Sequence, residues 1–205
     1  MVLGAHYDHL APRGSGKDAH HREPDGDAGA DRIFNGADDN ASGVAAVLEI
    51  AQAFAAREER PGRTLVFVAF TAEEKDLDGS RYFVEHPPVE LAELRGMINL
   101  DMISRGEENL VFSEARPKSS PLVEAMRRVN ERVGLDVRFG EHPEWIMQSD
   151  HLSFIRKKVP AIYFGVEDHE DYHRVSDHAD KILPGLAAKI AELAYGIAHE
   201  LTELD

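Results

Sequence analysis

The chain has 205 residues, with 38 acidic against 23 basic side chains, a formal net charge of −15 and no cysteine. That charge argues against nucleic acid or an anionic membrane as the main partner, and the missing cysteines rule out disulfides and thiolate sites. The length and a 42% hydrophobic content fit one globular domain over residues 1–205, with no apolar run of membrane-spanning length.

Residues 1–5 read as part of a strand, with His6-Tyr7-Asp8-His9 at its end. In an extended chain His6 and Asp8 lie on the same side, an arrangement that suits a metal ligand and a carboxylate that orients its imidazole. Residues 11–34 are rich in Gly, Pro, Asp and His without periodicity and read as a long loop or flap, with His20 and His21 as solvated surface. Asn35-Gly36-Ala37-Asp38-Asp39-Asn40-Ala41-Ser42-Gly43 then packs two adjacent carboxylates between two glycines. Val44, Val47, Leu48, Ala51, Phe54 and Ala55 follow at helical spacing, so this loop opens a helix. Gly36 and Gly43 permit a sharp turn or a close backbone approach.

Residues 64–70 form a continuous apolar, branched and aromatic run that predicts a buried central strand. Glu73 and Glu74 come directly after it. On extended backbone their side chains diverge, so one can hold a cation while the other faces a bound water. A short helix over 77–86 and a helical turn over 89–95 lead to a second buried strand at 96–100, with Asp101 at its end. Next come a strand at 109–113, a helix at 121–133, a short strand at 134–139, a short helix at 152–155 and a strand at 159–165. Trp145, flanked by Ile146 and Met147, is a candidate pocket wall. A polar loop carries Asp171-Tyr172-His173, and residues 184–201 form an amphipathic helix with Leu186, Ile190, Leu193, Ala194 and Ile197 on one face.

Helices between strands imply parallel crossovers and an α/β fold. His6, Glu73 with Glu74, and Asp101 each follow the carboxyl end of a different strand, and His173 follows another after a loop. Ligands of such sheets bind outside those ends, so the groups can converge on one cleft, with Asp39 entering from its own loop. Asp39, Glu74 and Asp101 packed together repel one another. Two divalent cations supply +4 against −3, and one hydroxide balances the remainder. Mixed His and carboxylate donors suit zinc better than calcium or magnesium, with cobalt or manganese as alternatives.

These motifs, in this order, resemble the co-catalytic zinc aminopeptidases of clan MH, metallopeptidase family 28, from Leu3 to about Lys181. The resemblance implies a three-layer α/β/α sandwich around a mostly parallel mixed sheet, of the zinc-peptidase (phosphorylase/hydrolase-like) type. It implies removal of N-terminal residues from peptides by a two-zinc site. His6 and Asp101 would complete one zinc site, Glu74 and His173 the other, and Asp39 would bridge them. Glu73 would be the general base, Tyr172 would support the substrate carbonyl, and Asp8 would stand behind His6. Met102, Trp145, Ile146 and Phe164 are nominated as pocket lining. Relatives are often exported, which points to a periplasmic or extracellular setting. Two departures stand out: Lys75-Asp76-Leu77-Asp78 replaces a more acidic or Gly-containing run, and the His-x-Asp strand has no sheet before it. The second predicts that the N-terminal edge strands are missing, leaving an edge that is bare or is covered by another chain as an oligomer. A single-zinc enzyme like the related glutaminyl cyclases, and a non-catalytic interaction domain of the same fold, are the alternative readings.

Overall fold

The structure is a computed structural model that describes residues 1–12 and 32–203. Most of the loop expected over 11–34, with His20 and His21, lies outside the described residues. Strands β1 (Val2–His6), β2 (Val66–Phe70), β3 (Met97–Leu100), β4 (Leu110–Arg116), β5 (Asp136–Phe139) and β6 (Ala161–Gly165) form one sheet in the order β2-β1-β3-β6-β4-β5. Neighbours are parallel except β4 and β6, so β1, β2, β3 and β6 all end on the same rim.

Helices α1 (Gly43–Ala55), α3 (Pro121–Val133) and α5 (Pro184–Glu203) cover one face of the sheet. There Leu3, Ala5, Ile98, Leu100, Ile162 and Phe164 meet Ile50, Leu122, Ile190 and Ile197 in one cluster. Helices α2 (Asp78–Glu85) and α4 (His151–Arg156) cover the other face, where Val2, Met97 and Ala161 pack with Phe70, Val84 and Phe154. Alternate strand residues thus serve opposite cores, which is why these strands read as unbroken apolar runs. The result is the three-layer α/β/α sandwich with a mixed sheet. The buried face expected for the C-terminal helix is the one observed.

Two expectations are corrected. The run at 64–70 forms β2, which is an edge strand rather than a central one: Val66, Phe67 and Val68 are half-buried and Ala69 is exposed. Its apolar character reflects helices lying over the sheet, not a strand on each side. Among the described residues no strand pairs with its outer side, and the His-x-Asp strand β1 lies inside the sheet between β2 and β3. In α1 the buried stripe is Gly43, Ala46, Val47, Ile50 and Phe54, while Leu48 is 64% exposed. Small residues face the sheet because α1 lies close against it: a Cβ on Gly43 would collide with the Leu100 carbonyl.

The α2/α4 layer is held by aromatic contacts, with Phe154 5.7 Å from Phe83 in a tilted pair and 6.1 Å from Phe70 edge-on, between ring centres. Phe154→Ala is expected to cost about 3–5 kcal/mol, read from urea unfolding; a loss below about 1 kcal/mol would contradict this packing. His151 beside it is fully buried. Burial outweighs a raising backbone contact from Trp145 and holds its imidazole at about 3, below the ordinary value of 6.5. The unfolded chain therefore binds the proton more readily, and this residue's contribution to stability falls as pH drops from 6.5 towards 3. His151→Gln should flatten that part of the acid limb in pH-dependent urea titrations.

Candidate metal centre

The stretch Ala37–Ser42 between β1 and α1 is irregular. Gly36 turns into it with a left-handed φ of 58°, where a Cβ would strike the Asp39 carbonyl. Asp39 and Asn40 have non-helical dihedrals and are joined by a cis peptide. Asn40 ties the loop to the end of β3: its Nδ2 donates to the Leu100 carbonyl at 2.9 Å, and its Oδ1 accepts from Gly43 N–H at 3.0 Å and Met102 N–H at 3.2 Å. Asp177 Oδ2 accepts from the backbone N–H groups of Asp38 (2.9 Å) and Asp39 (3.2 Å). The two adjacent acids then part company. Asp38 turns into the protein, where its Oδ1 accepts from Ser104 N–H and Ser104 Oγ, each at 2.7 Å. Asp39 turns to the strand rim.

Asp39 meets a different set of side chains with each oxygen. Its Oδ1 lies 3.2 Å from His6 Nε2, which is also 3.2 Å from Asp101 Oδ1. Its Oδ2 lies 3.2 Å from His173 Nε2, which is 3.4 Å from Glu74 Oε2. The five residues expected as ligands are therefore brought together around one carboxylate. His9, from the same His-Tyr-Asp-His run, was not among them and sits at the site too, with Nδ1 2.8 Å from Glu74 Oε1 and 3.8 Å from Asp39 Oδ2. Two imidazoles thus flank the second carboxylate pair. His173 is near both members, whereas His9 closely approaches only Glu74.

The supports behind these groups are side chains whose roles local sequence does not announce. Ser149 Oγ donates to Asp101 Oδ2 at 2.6 Å and accepts from Asn99 Nδ2 at 2.7 Å, so Asp101 is aimed by a chain from β3 and the start of α4. Asp8 differs in detail from expectation. His6 Nδ1 faces the Asp8 backbone carbonyl at 3.1 Å, while the Asp8 carboxylate is 3.8 Å away and accepts Glu73 N–H at 3.1 Å. The strand ends at His6, so the chain bends and the carbonyl, not the side chain, comes to the ring. Asp8 therefore ties the His6 loop to the Glu73 loop. Ala72, Met102 and His173 all hold left-handed φ values of 54–58° next to or within the site. Such strain at non-glycine residues persists only where the surroundings dictate it.

Electrostatics bind the cluster as tightly as geometry. Burial works to lower the pKa of His6, but Asp101 and Asp39 outweigh it and raise it well above normal. His173 is likewise opposed by burial and raised to about 10 by Asp39 and Glu74. Burial would raise Asp39, yet hydrogen bonding to His173 and His6 holds it far below the usual carboxylate range. Glu74 follows the same pattern through His173 and His9. Glu73 goes the other way: burial, reinforced by Asp101, Asp150 and Glu74, raises it well above normal against the pull of His6. Buried carboxylates held ionised around imidazole nitrogens are a donor set that suits zinc. His6, Asp39 and Asp101 form one group whose ligand atoms lie within 4.8 Å of one another, and His9, Asp39 and Glu74 form another.

The groups line a cleft of about 520 Å³, with Glu73, Met102, Trp145, Tyr163 and Tyr172 among its walls. Tyr172 stacks on His173 at 3.9 Å between ring centres. Met102 and Trp145 line the cleft as expected. Ile146 and Phe164 do not: both are buried, and Phe164 faces the α1/α3/α5 core because β6 alternates its side chains.

Residues 1–198 match the model of peptidase family M28, and the chain belongs to that family. It is 34% identical over 155 residues to leupeptin-inactivating enzyme 1 of Streptomyces exfoliatus, covering 74% of this chain and 34% of the relative. It is 32% identical over 179 residues to aminopeptidase YwaD of Bacillus subtilis, covering 80% of this chain and 37% of that one. The chain thus spans about a third of the length of these curated relatives. Among solved structures, the LapA aminopeptidase of Legionella pneumophila superposes with a TM-score of 0.79 at 21% identity over 100% of this chain and 51% of its own, a likeness of fold.

Asp177 positions Asp39 only through backbone hydrogen bonds. Asp177→Ala should weaken metal binding about 10–100-fold in chelator competition, as loss of an outer support does. Unchanged affinity would remove Asp177 from that role.

Proposed function

We propose that this chain is a zinc aminopeptidase domain that removes N-terminal residues from peptides with a free amino terminus, using two zinc ions. The observation that carries the reading is the orientation of Asp39, whose two oxygens face separate His/carboxylate pairs. In this reading His6 and Asp101 would hold one ion and Glu74 and His173 the other, with Asp39 shared by both. His9 orients Glu74 from behind. Cobalt or manganese would find the same donors acceptable.

Held there, the ions would supply Lewis acidity to a water and to the scissile carbonyl. The remaining work falls to the protein. Glu73, half-buried at the cleft wall with a raised pKa, accepts the water proton and passes it to the leaving amine. Burial, with Asp39 and Asp168 behind it, pushes the Tyr172 phenol pKa up, so the hydroxyl keeps its proton and can donate to the developing oxyanion. Carboxylates around the cleft, Asp168 among them, attract the substrate ammonium group, and Met102 and Trp145 offer an apolar wall to its side chain. A single-zinc cyclase would leave one His/carboxylate pair idle, and a non-catalytic domain would have no need for a raised Glu73.

Metal analysis of purified protein should give two zinc ions per chain, falling by one in His173→Ala and staying at two in His9→Gln. Glu73→Gln should keep both ions and lose roughly 10²–10⁴-fold in kcat on aminoacyl-nitroanilides. Full turnover in that variant would remove Glu73 as the base, and one ion in the native protein would favour the cyclase reading.

A further inference from the structure

The cleft carries a second chemical feature that metal binding does not use. Imidazoles aside, the charged groups of its lining are mainly acidic: Asp39, Glu73, Glu74, Asp76, Asp101 and Asp168. Two cations break that pattern among the described lining residues, Arg81 and Arg156. They come from neighbouring helices. Arg81 lies in the first turn of α2 and Arg156 ends α4, and these helices pack together in one layer. Their mutual position is pinned by the Ser80 and Ser153 hydroxyls, 2.9 Å apart. Ser80 adjoins Arg81 in sequence, and Ser153 lies three residues before Arg156, on the same helix face. Arg81 is partly neutralised by an ion pair with Asp78. Arg156 is exposed and forms no ion pair with a described residue.

The direction of the reaction relates these cations to substrate. Glu73 gives its proton to the leaving amine, so the leaving segment must pass on the Glu73 side of the site. Glu73 sits on the loop that leads into α2 and feels the charge of Asp150, at the start of α4. The leaving side of the cleft is therefore the side where α2 and α4 present their arginines. Guanidinium groups recognise carboxylates through planar, paired N–H donors. The cleft volume, about 520 Å³, is in the range of small-molecule sites, roughly 300–1,000 Å³.

Resting on the aminopeptidase reading, we propose that Arg156, assisted by Arg81, binds a substrate carboxylate downstream of the scissile bond and so selects short peptides or peptides with an acidic residue there. A di- or tripeptide supplies that group as its own C terminus, and a longer peptide as an Asp or Glu side chain. The two ends of the substrate then meet opposite charges, ammonium at the acidic rim and carboxylate at the helix pair.

The test uses the zinc-loaded protein with three substrates: Leu-Gly-Gly, its C-terminal amide, and Leu-Glu-Gly amide. Leu-Gly-Gly should exceed its amide about tenfold in kcat/KM, expressed in KM, with the ratio shrinking at high salt. Arg156→Gln should abolish the ratio, Arg156→Lys should restore part of it, and Lys157→Gln, at an exposed neighbour outside the cleft lining, should leave it as in the native protein. Preference for Leu-Gly-Gly identifies the C terminus as the group read, and preference for Leu-Glu-Gly amide identifies the side chain. Equal kcat/KM for all three substrates, or a ratio that survives in Arg156→Gln, overturns the proposal while leaving the peptidase reading intact. Failure to cleave any of the three overturns both.

Discussion

Carboxylates crowded at one sheet rim are the constraint from which the rest of this structure follows. Asp39, Glu74 and Asp101 are each at least partly withdrawn from water within a few ångströms of one another. Burial alone would drive such groups to take up protons. Here imidazoles at 3.2–3.4 Å hold Asp39 and Glu74 ionised. The carboxylate and imidazole donors assembled around Asp39 are of the types zinc prefers.

The fold exists around that constraint in a concrete sense. Four parallel strands deliver their carboxyl ends to one rim, so side chains from distant parts of the chain arrive without long loops. The loop that presents Asp39 is then fastened from three directions: by Asn40 to β3, by Asp177 to its backbone N–H groups, and by the tight approach of Gly43 to Leu100. A network of this kind allows Asp39 a single orientation, and orientation is what separates it from Asp38 next door. Glu73 and Glu74 show the same division of labour, one ionised among imidazoles and one raised by its surroundings. Environment, not residue type, sets each role.

Much of this was legible in the sequence, for reasons that can be named. His6, Glu74 and Asp101 stood out because ligand-type residues followed apolar runs, and strand ends are where such residues converge; Asp39 stood out as one of two carboxylates between glycines at a helix start, and His173 was joined to the set by the family resemblance. Helices α3 and α5 were legible through their periodicity and the prolines at their starts. The edge position of β2 was not, because apolar content reports the helices over a strand rather than its neighbours within the sheet. The inner stripe of α1 was misjudged because Gly43 and Ala46 pack closely by being small, whereas a hydrophobic pattern favours large residues such as Leu48. Ser149, Asp177 and the carbonyl of Asp8 act through hydrogen bonds to residues remote in sequence or through the backbone, and no local pattern distinguishes them. Ile146 and Phe164 were apolar for the ordinary reason of filling the core.

The most direct test of the central claim is anomalous diffraction at the zinc absorption edge from crystals of the zinc-loaded protein. The account predicts two peaks in each chain, one between His6 and Asp101 and one between Glu74 and His173, with the Asp39 carboxylate spanning them. A single peak, or Asp39 turned away from both positions, would contradict it.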